Sequence, residues 1–141
     1  KEDGKRVVLL GTEKELELMN RIRNSDQSKT IKIIPPVNLR VLTGFLKKSR
    51  LFIGNDSGMM HLAAMVGVPV LGIFGPGSPD TTGPYMAMEK QEMVTKNFSC
   101  SPCKQRFFKE CKPPPLNKPY CIEDITVKDI HEAVRRLLKR Y

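Results

Sequence analysis

Short apolar runs that alternate with segments of helical period constrain this chain more than any other feature. Arg6-Val7-Val8-Leu9-Leu10-Gly11 reads as a buried strand ending in a glycine turn. Thr12, with Glu15 three residues on, makes a capping box, and Leu16, Leu18, Met19 and Ile22 carry a helix that fades at Asn24-Ser25-Asp26. Ile31-Lys32-Ile33-Ile34 is a second strand, stopped by Pro35-Pro36, and Asn38 caps a helix to Ser49 with Leu39, Leu42, Phe45 and Leu46 at helical spacing. Leu51-Phe52-Ile53-Gly54 is the third strand, Gly58 to Val66 the next helix with Gly67 as its C-cap, and Val68 to Gly75 another buried strand.

Beyond that point the pattern loosens. Gly75 to Pro84 is a long turn-rich loop, and Gln91 to Thr95 reads as a last, edge strand. Residues 97–122 form a Cys- and Pro-rich loop segment, and Thr126 caps a final amphipathic helix, 126–140, with Ile130, Val134, Leu137 and Leu138 on its apolar stripe. Strands alternating with helices predict an α/β fold with a parallel sheet and right-handed crossovers. At 141 residues the chain is expected to be a single domain, 1–141, able to bury its own core.

The stretch from Asn55 to Ala64 places Asp56, Ser57 and Gly58 between a strand's C-terminal end and the start of a nearly all-apolar helix. The N–H groups and dipole of such a helix favour an anion, and open α/β sheets bind ligands at the C-terminal ends of their strands. His61 follows Ser57 by four residues and shares its helical face. Capping alone accounts for one of these polar residues, not for four opening an apolar helix. Gly58 would let a ligand come close to the backbone. These residues are the expected site of a phosphorylated ligand.

Three other segments are candidates. Gly11-Thr12 with Glu13 and Glu15 follows the first strand; by spacing it is a capping box, though an acidic side chain there can accept hydrogen bonds from a ribose. Phe74-Gly75-Pro76-Gly77-Ser78-Pro79 can present N–H groups to phosphate but lacks the Gly-Lys-Ser/Thr of a Walker-A loop. Cys100-x-x-Cys103, Cys111 and Cys121 place four thiols within 22 residues. They admit a zinc site, but the second pair is not a Cys-x-x-Cys, and free or redox-variable thiols in a Pro-rich segment are the alternative. Disulfides are not expected without a signal peptide. His61 and His131 are the only histidines, and no Ser-His-Asp or Cys-His set is evident, so no catalytic residue is assigned.

Lys and Arg number 24 against 15 Asp and Glu, a formal net charge of +9 with clusters at Lys104 to Lys112 and Arg135 to Arg140. This balance favours anionic partners, an anionic membrane surface among them. Aromatic residues are not interleaved with the basic ones, so nucleic acid is not expected as a partner. No apolar run approaches the ~20 residues of a membrane span. Lys1-Glu2-Asp3-Gly4 is polar and leads into a strand, so no signal peptide is expected; the chain lacks an initiator Met, which leaves open that it is a piece of something longer.

Leu51 to Ala64, Gly67-Val68-Pro69-Val70, Phe74-Gly75-Pro76 and Thr82-Gly83-Pro84-Tyr85 together resemble glycosyltransferase family 9, the ADP-heptose:lipopolysaccharide heptosyltransferases. The Cys-x-x-Cys, Cys and Cys-Ile run before Ile125-Thr126 resembles many members as well. The resemblance covers most of residues 6–140. It implies the C-terminal, Rossmann-like half of a two-domain GT-B enzyme, with helices on both faces of a parallel sheet, that holds an ADP-heptose-like nucleotide-sugar donor. It implies that Asp56, Ser57, Gly58 and His61 contact diphosphate and sugar, that Glu15 accepts the ribose hydroxyls, and that Val37 walls the adenine pocket. Asp56, being anionic, is expected to bond sugar hydroxyls or the loop backbone. No cofactor and no metal are expected at this site.

Two parts of the family pattern are absent from this chain. One is the N-terminal domain, with its catalytic base and its site for a lipid-linked acceptor. The other is the first strand of the C-terminal domain, with its basic loop. The piece alone is therefore expected not to turn over, in a setting that is cytoplasmic and peripheral to the inner membrane. Without that first strand, the family order 3-2-1-4-5-6 would close to 2-1-3-4-5, with Val7–Leu10 beside Leu51–Gly54. A non-catalytic nucleotide-binding module and a zinc-stabilised nucleic-acid-binding domain are the alternatives.

Overall fold

The computed structural model describes residues 6–103, 111 and 119–140. Lys1 to Gly4 and, apart from Cys111, the basic cluster Lys104 to Lys112 lie outside them. The chain divides into two compact units, Lys1–Leu42 and Thr43–Tyr141.

In the first unit, β1 (Val8–Leu9) pairs in parallel with β2 (Lys32–Ile33), Val8 opposite Lys32 and Leu9 opposite Ile33. The connection is a 3-10 turn, Glu13–Glu15, running into α1 (Leu16–Ser25). Asp26 organises the return to β2. Its carboxylate accepts from the N–H groups of Ser28 (3.0 Å), Thr30 (2.7 Å) and Ile31 (3.0 Å), which accounts for the left-handed Lys29 at φ 53°. These bonds, the Ser28 hydroxyl first among them, hold the Asp26 carboxyl well below the usual carboxylate range.

α2 (Leu39–Lys47) spans the boundary between the units and starts as expected, with the Val41 N–H donating to Asn38 Oδ1 at 3.0 Å. The second unit is built on a three-stranded parallel sheet in the order β3 (Phe52–Asn55), β4 (Val70–Ile73), β5 (Gln91–Val94). Ile53 stands opposite Leu71, and Leu71 opposite Glu92.

Alternation along the central strand divides its two faces. Leu71 and Ile73 pack with Ala133, Leu137, Ile130 and Val134 of α6 (Val127–Lys139). Gly72 faces the other way, where an added Cβ would meet Met93 Sδ at 2.7 Å and Met60 Sδ of α3 (Gly58–Met65) at 3.0 Å. β4 is therefore covered on both sides, which explains its unbroken apolar run, and fully burying a side chain such as Leu71 contributes about 1.5–3 kcal/mol. α3 closes in a Schellman motif: Gly67, at φ 80°, donates to Ala64 O and Val68 donates to Ala63 O.

Three expectations need correction. The regular pairing of the first two strands covers only two residues each, because Val7 and Ile34 contribute single flanking carbonyl or N–H bonds and not full ladder pairs. The turn-rich loop contains a one-turn helix, α4 (Pro79–Thr82), started by Pro at its first position. And no hydrogen-bonded ladder joins β1 to β3: among the described residues β1 pairs with β2 alone and β3 with β4 alone.

Candidate functional site

β3 delivers the chain to the site. The Asp56 N–H donates to Ile73 O at 3.3 Å, extending the β3–β4 ladder by one bond. Ser57 is then extended, at φ −160° and ψ 165°, and stands as the N-cap of α3. Its carbonyl accepts from the N–H of Met60 (3.0 Å) and of His61 (3.5 Å), but its hydroxyl caps nothing. Among the described residues, the N–H groups of Gly58 and Met59 have no acceptor. These are the free donors that every helix start leaves to a cap or a ligand. No atom lies within 4 Å of the position a Cβ would take on Gly58, so the approach to them is open. His61, one turn on, is half-buried.

Asp56 reaches across to the loop after β4. Its Oδ2 accepts from Thr82 Oγ1 at 2.8 Å, while the same hydroxyl stands 3.1 Å from Ser78 O. One proton serves one acceptor well, and the shorter, charged contact is the stronger. A Cβ on Gly77 would come to 2.6 Å from Asp56 Oδ2, so the loop lies against the carboxylate only because residue 77 has no side chain. Gly83 is equally confined, since its Cβ would collide with the Pro79 carbonyl. Asp56 thus reaches the loop through the Thr82 side chain and not through the loop backbone. Gly77 lay in a candidate phosphate loop and Thr82 opens the Thr-Gly-Pro-Tyr motif, but no sequence signal joined either of them to Asp56.

Glu15 and Val37 belong to the first unit. Glu15 Oε2 accepts from the Thr12 N–H at 2.7 Å and from the Thr12 hydroxyl at 2.8 Å, which makes the carboxylate half of the expected capping box. The Thr12 backbone bond, then its hydroxyl, holds the Glu15 carboxyl below its ordinary range. Both contacts use Oε2. Val37 is 37% exposed.

The four cysteines are free thiols. All four line one cavity of about 120 Å³ together with Gly75, Pro76, Ser101 and Pro119. Burial, with the nearby Cys111, Cys100 and Cys103 adding to it, pushes the Cys121 thiol up. His131 is exposed on α6. Among the described residues, no helix is long and apolar enough to cross a membrane.

Parallel α/β packing, with polar residues and open N–H groups at the turn from β3 into α3, defines a protein of the Rossmann-like class with its candidate site at the C-terminal edge of a sheet. The profile of glycosyltransferase family 9 (heptosyltransferase) matches residues 1–112, and the chain belongs to that family. A lipooligosaccharide heptosyltransferase 2 of Campylobacter jejuni is 33% identical over 137 residues, 94% of this chain and 41% of that protein. The solved E. coli ADP-heptose LPS heptosyltransferase II shares the fold with a TM-score of 0.75 at 24% identity, over 97% of this chain and 38% of that one. The E. coli heptosyltransferase WaaC, solved with ADP, matches 66% of this chain and 28% of its own with a TM-score of 0.59 at 23% identity. The chain thus spans about two-fifths of the length of the curated relative.

Proposed function

We propose that this chain is the donor-binding half of an inverting, GT-B heptosyltransferase of lipopolysaccharide core biosynthesis, and that residues 1–141 serve as its nucleotide-sugar domain. The observation that carries the reading is the start of α3. Unpaired N–H groups of Gly58 and Met59, the idle Ser57 hydroxyl and open space over Gly58 suit a diphosphate. The names of the relatives supply the chemistry, since one is an ADP-heptose enzyme and another was solved with ADP. Ser57 and the helix N–H groups take the phosphates. His61 reaches the diphosphate or sugar from the same face.

Asp56 acts by holding the Thr82 loop beside the donor. Glu15 keeps Oε1 for ribose hydroxyls while Oε2 serves the cap, and exposed Val37 offers an apolar wall to adenine. In inverting transfer a base deprotonates the acceptor hydroxyl while the departing diphosphate is stabilised electrostatically. This chain supplies the second part, and the longer protein supplies the base and the lipid-linked acceptor site.

Calorimetry with ADP tests the reading directly. The chain binds ADP, and His61→Ala or Ser57→Ala weakens it about tenfold to hundredfold, the worth of a hydrogen bond to a charged group. No ADP binding by the intact chain, or unchanged affinity in both variants, ends it. Supplying the N-terminal half should then restore sugar transfer; ADP binding with continued inactivity would leave a nucleotide-binding module that is not an enzyme.

A further inference from the structure

We propose that Cys100, Cys103, Cys111 and Cys121 form a structural zinc site that ties the loop after β4 to the start of α5 (Tyr120–Glu123). Four thiols from three separate chain segments line a single cavity of about 120 Å³. The rest of its wall is Gly75, Pro76, Ser101 and Pro119, so thiol sulfur is the dominant ligand chemistry on offer. Four thiolates and no imidazole or carboxylate select a soft, tetrahedral ion, and zinc is the usual occupant of such a set.

The backbone around the cavity is already fixed from two sides. The Cys103 N–H donates to Pro76 O at 2.8 Å, pinning the Cys-x-x-Cys segment to the loop. Across the cavity, Gly75 lies so close to α5 that a Cβ would run into Ile122 and come within 3.7 Å of Cys121 Sγ. Cys100 is exposed and the other three are half-buried, which leaves the cavity an entry path. As they stand, among the described residues, no three such side chains are grouped to hold a metal ion. Tetrahedral ligation at about 2.3 Å per Zn–S bond therefore draws the sulfurs inward from the wall, as expected where binding energy is spent on local folding.

The charge balance is simple. Four thiols release four protons, and the ion with four thiolates carries a net charge of −2, in a chain whose other residues are strongly basic. The consequence is mechanical: the metal would fix Gly75 and Pro76, and through them the segment that places Gly77 against Asp56. The inference stands independently of what the α3 site binds.

Metal analysis of the full chain, purified reduced and without chelator, is expected to find one zinc per chain. Exchange with cobalt should give the thiolate-to-metal charge-transfer band and the intense visible bands of a tetrahedral sulfur site. Cys121→Ser and Cys103→Ser should each lower zinc content and weaken the cobalt bands, and chelation should lower the melting temperature of the parent protein. Zinc-free protein whose four thiols all react freely, two disulfides by mass, or iron in place of zinc would each overturn the proposal; these readings need only the parent chain, so a variant that fails to fold does not blunt the test.

Discussion

Gly77 sets how closely the loop after β4 can lie against Asp56. The glycine is not there for an unusual backbone angle; it is there because a Cβ would sit 2.6 Å from Asp56 Oδ2. Gly77→Ala must push the carboxylate or the loop aside and break the Thr82 contact at 2.8 Å. Overpacking of this kind costs about 1–3 kcal/mol, and urea denaturation is expected to show a lower midpoint with the slope unchanged. Gly58→Ala is the control, since nothing lies within 4 Å of its Cβ position; it should leave the midpoint nearly where it was. Asp56, Ser57, Gly58 and His61 stood out as candidates in the sequence because they are consecutive or one helical turn apart. The Asp56–Thr82 bond could not, because it joins residues 26 apart through a loop whose course depends on the absent side chain of Gly77.

Elements were legible where a period or a cap states them outright. α6 is capped by Thr126 and runs from Val127 to Lys139, with Asp129 closing a reciprocal capping box: the Thr126 N–H donates to Asp129 Oδ2 at 2.7 Å, and the Asp129 N–H to Thr126 Oγ1 at 3.2 Å. β5 fell where it was expected, to within a residue. β1 and β2 were read too long, and β1 as buried although Val7 and Val8 are exposed, because an apolar run states a residue preference, while a ladder needs a partner's N–H and C=O in register and burial needs a covering layer. The Asp129 cap has a pH signature. The Thr126 N–H first, then Lys96 at 3.0 Å, hold its carboxyl down at about 2 from an ordinary 3.8. A depressed folded-state value means stability that is present above the unfolded value and lost as pH falls through the folded one. Thermal melts should therefore fall between pH about 4 and about 2, and Asp129→Asn should fall less steeply over that window while starting lower at neutral pH. Parallel curves for the two proteins would exclude the cap as a source of acid sensitivity. Asp26 and Glu15 titrate low as well, so only the difference between the curves is informative.

At the scale of the whole molecule, the net charge of +9 was readable at once, but its distribution over the folded surface was not. The cluster Arg135 to Arg140 looked uniformly basic. In the fold, Arg136 and Arg140 both pair with Glu92 of β5, the former at 2.8 Å, so a single carboxylate offsets one of the four positive charges of that cluster. Arg135 and Lys139 remain exposed on α6. If the chain works beside an anionic membrane surface, as proposed from its charge, these two residues should contribute most, and the Arg136, Arg140 and Glu92 group, with one net positive charge, less. Each basic side chain near an anionic leaflet is worth about 1 kcal/mol, and the screening length shrinks from about 10 Å at 0.1 M salt to about 3 Å at 1 M. The chain is expected to co-sediment with phosphatidylglycerol vesicles at about 50 mM salt and to be released by about 0.5 M, with little binding to phosphatidylcholine at either. Arg135→Glu with Lys139→Glu should weaken that binding by more than tenfold, since it exchanges two attractions for two repulsions, and should leave ADP affinity unchanged because neither residue belongs to the α3 site. Equal binding to both lipids, or binding indifferent to salt, would rule out an anionic membrane surface as what the exposed charge of α6 serves.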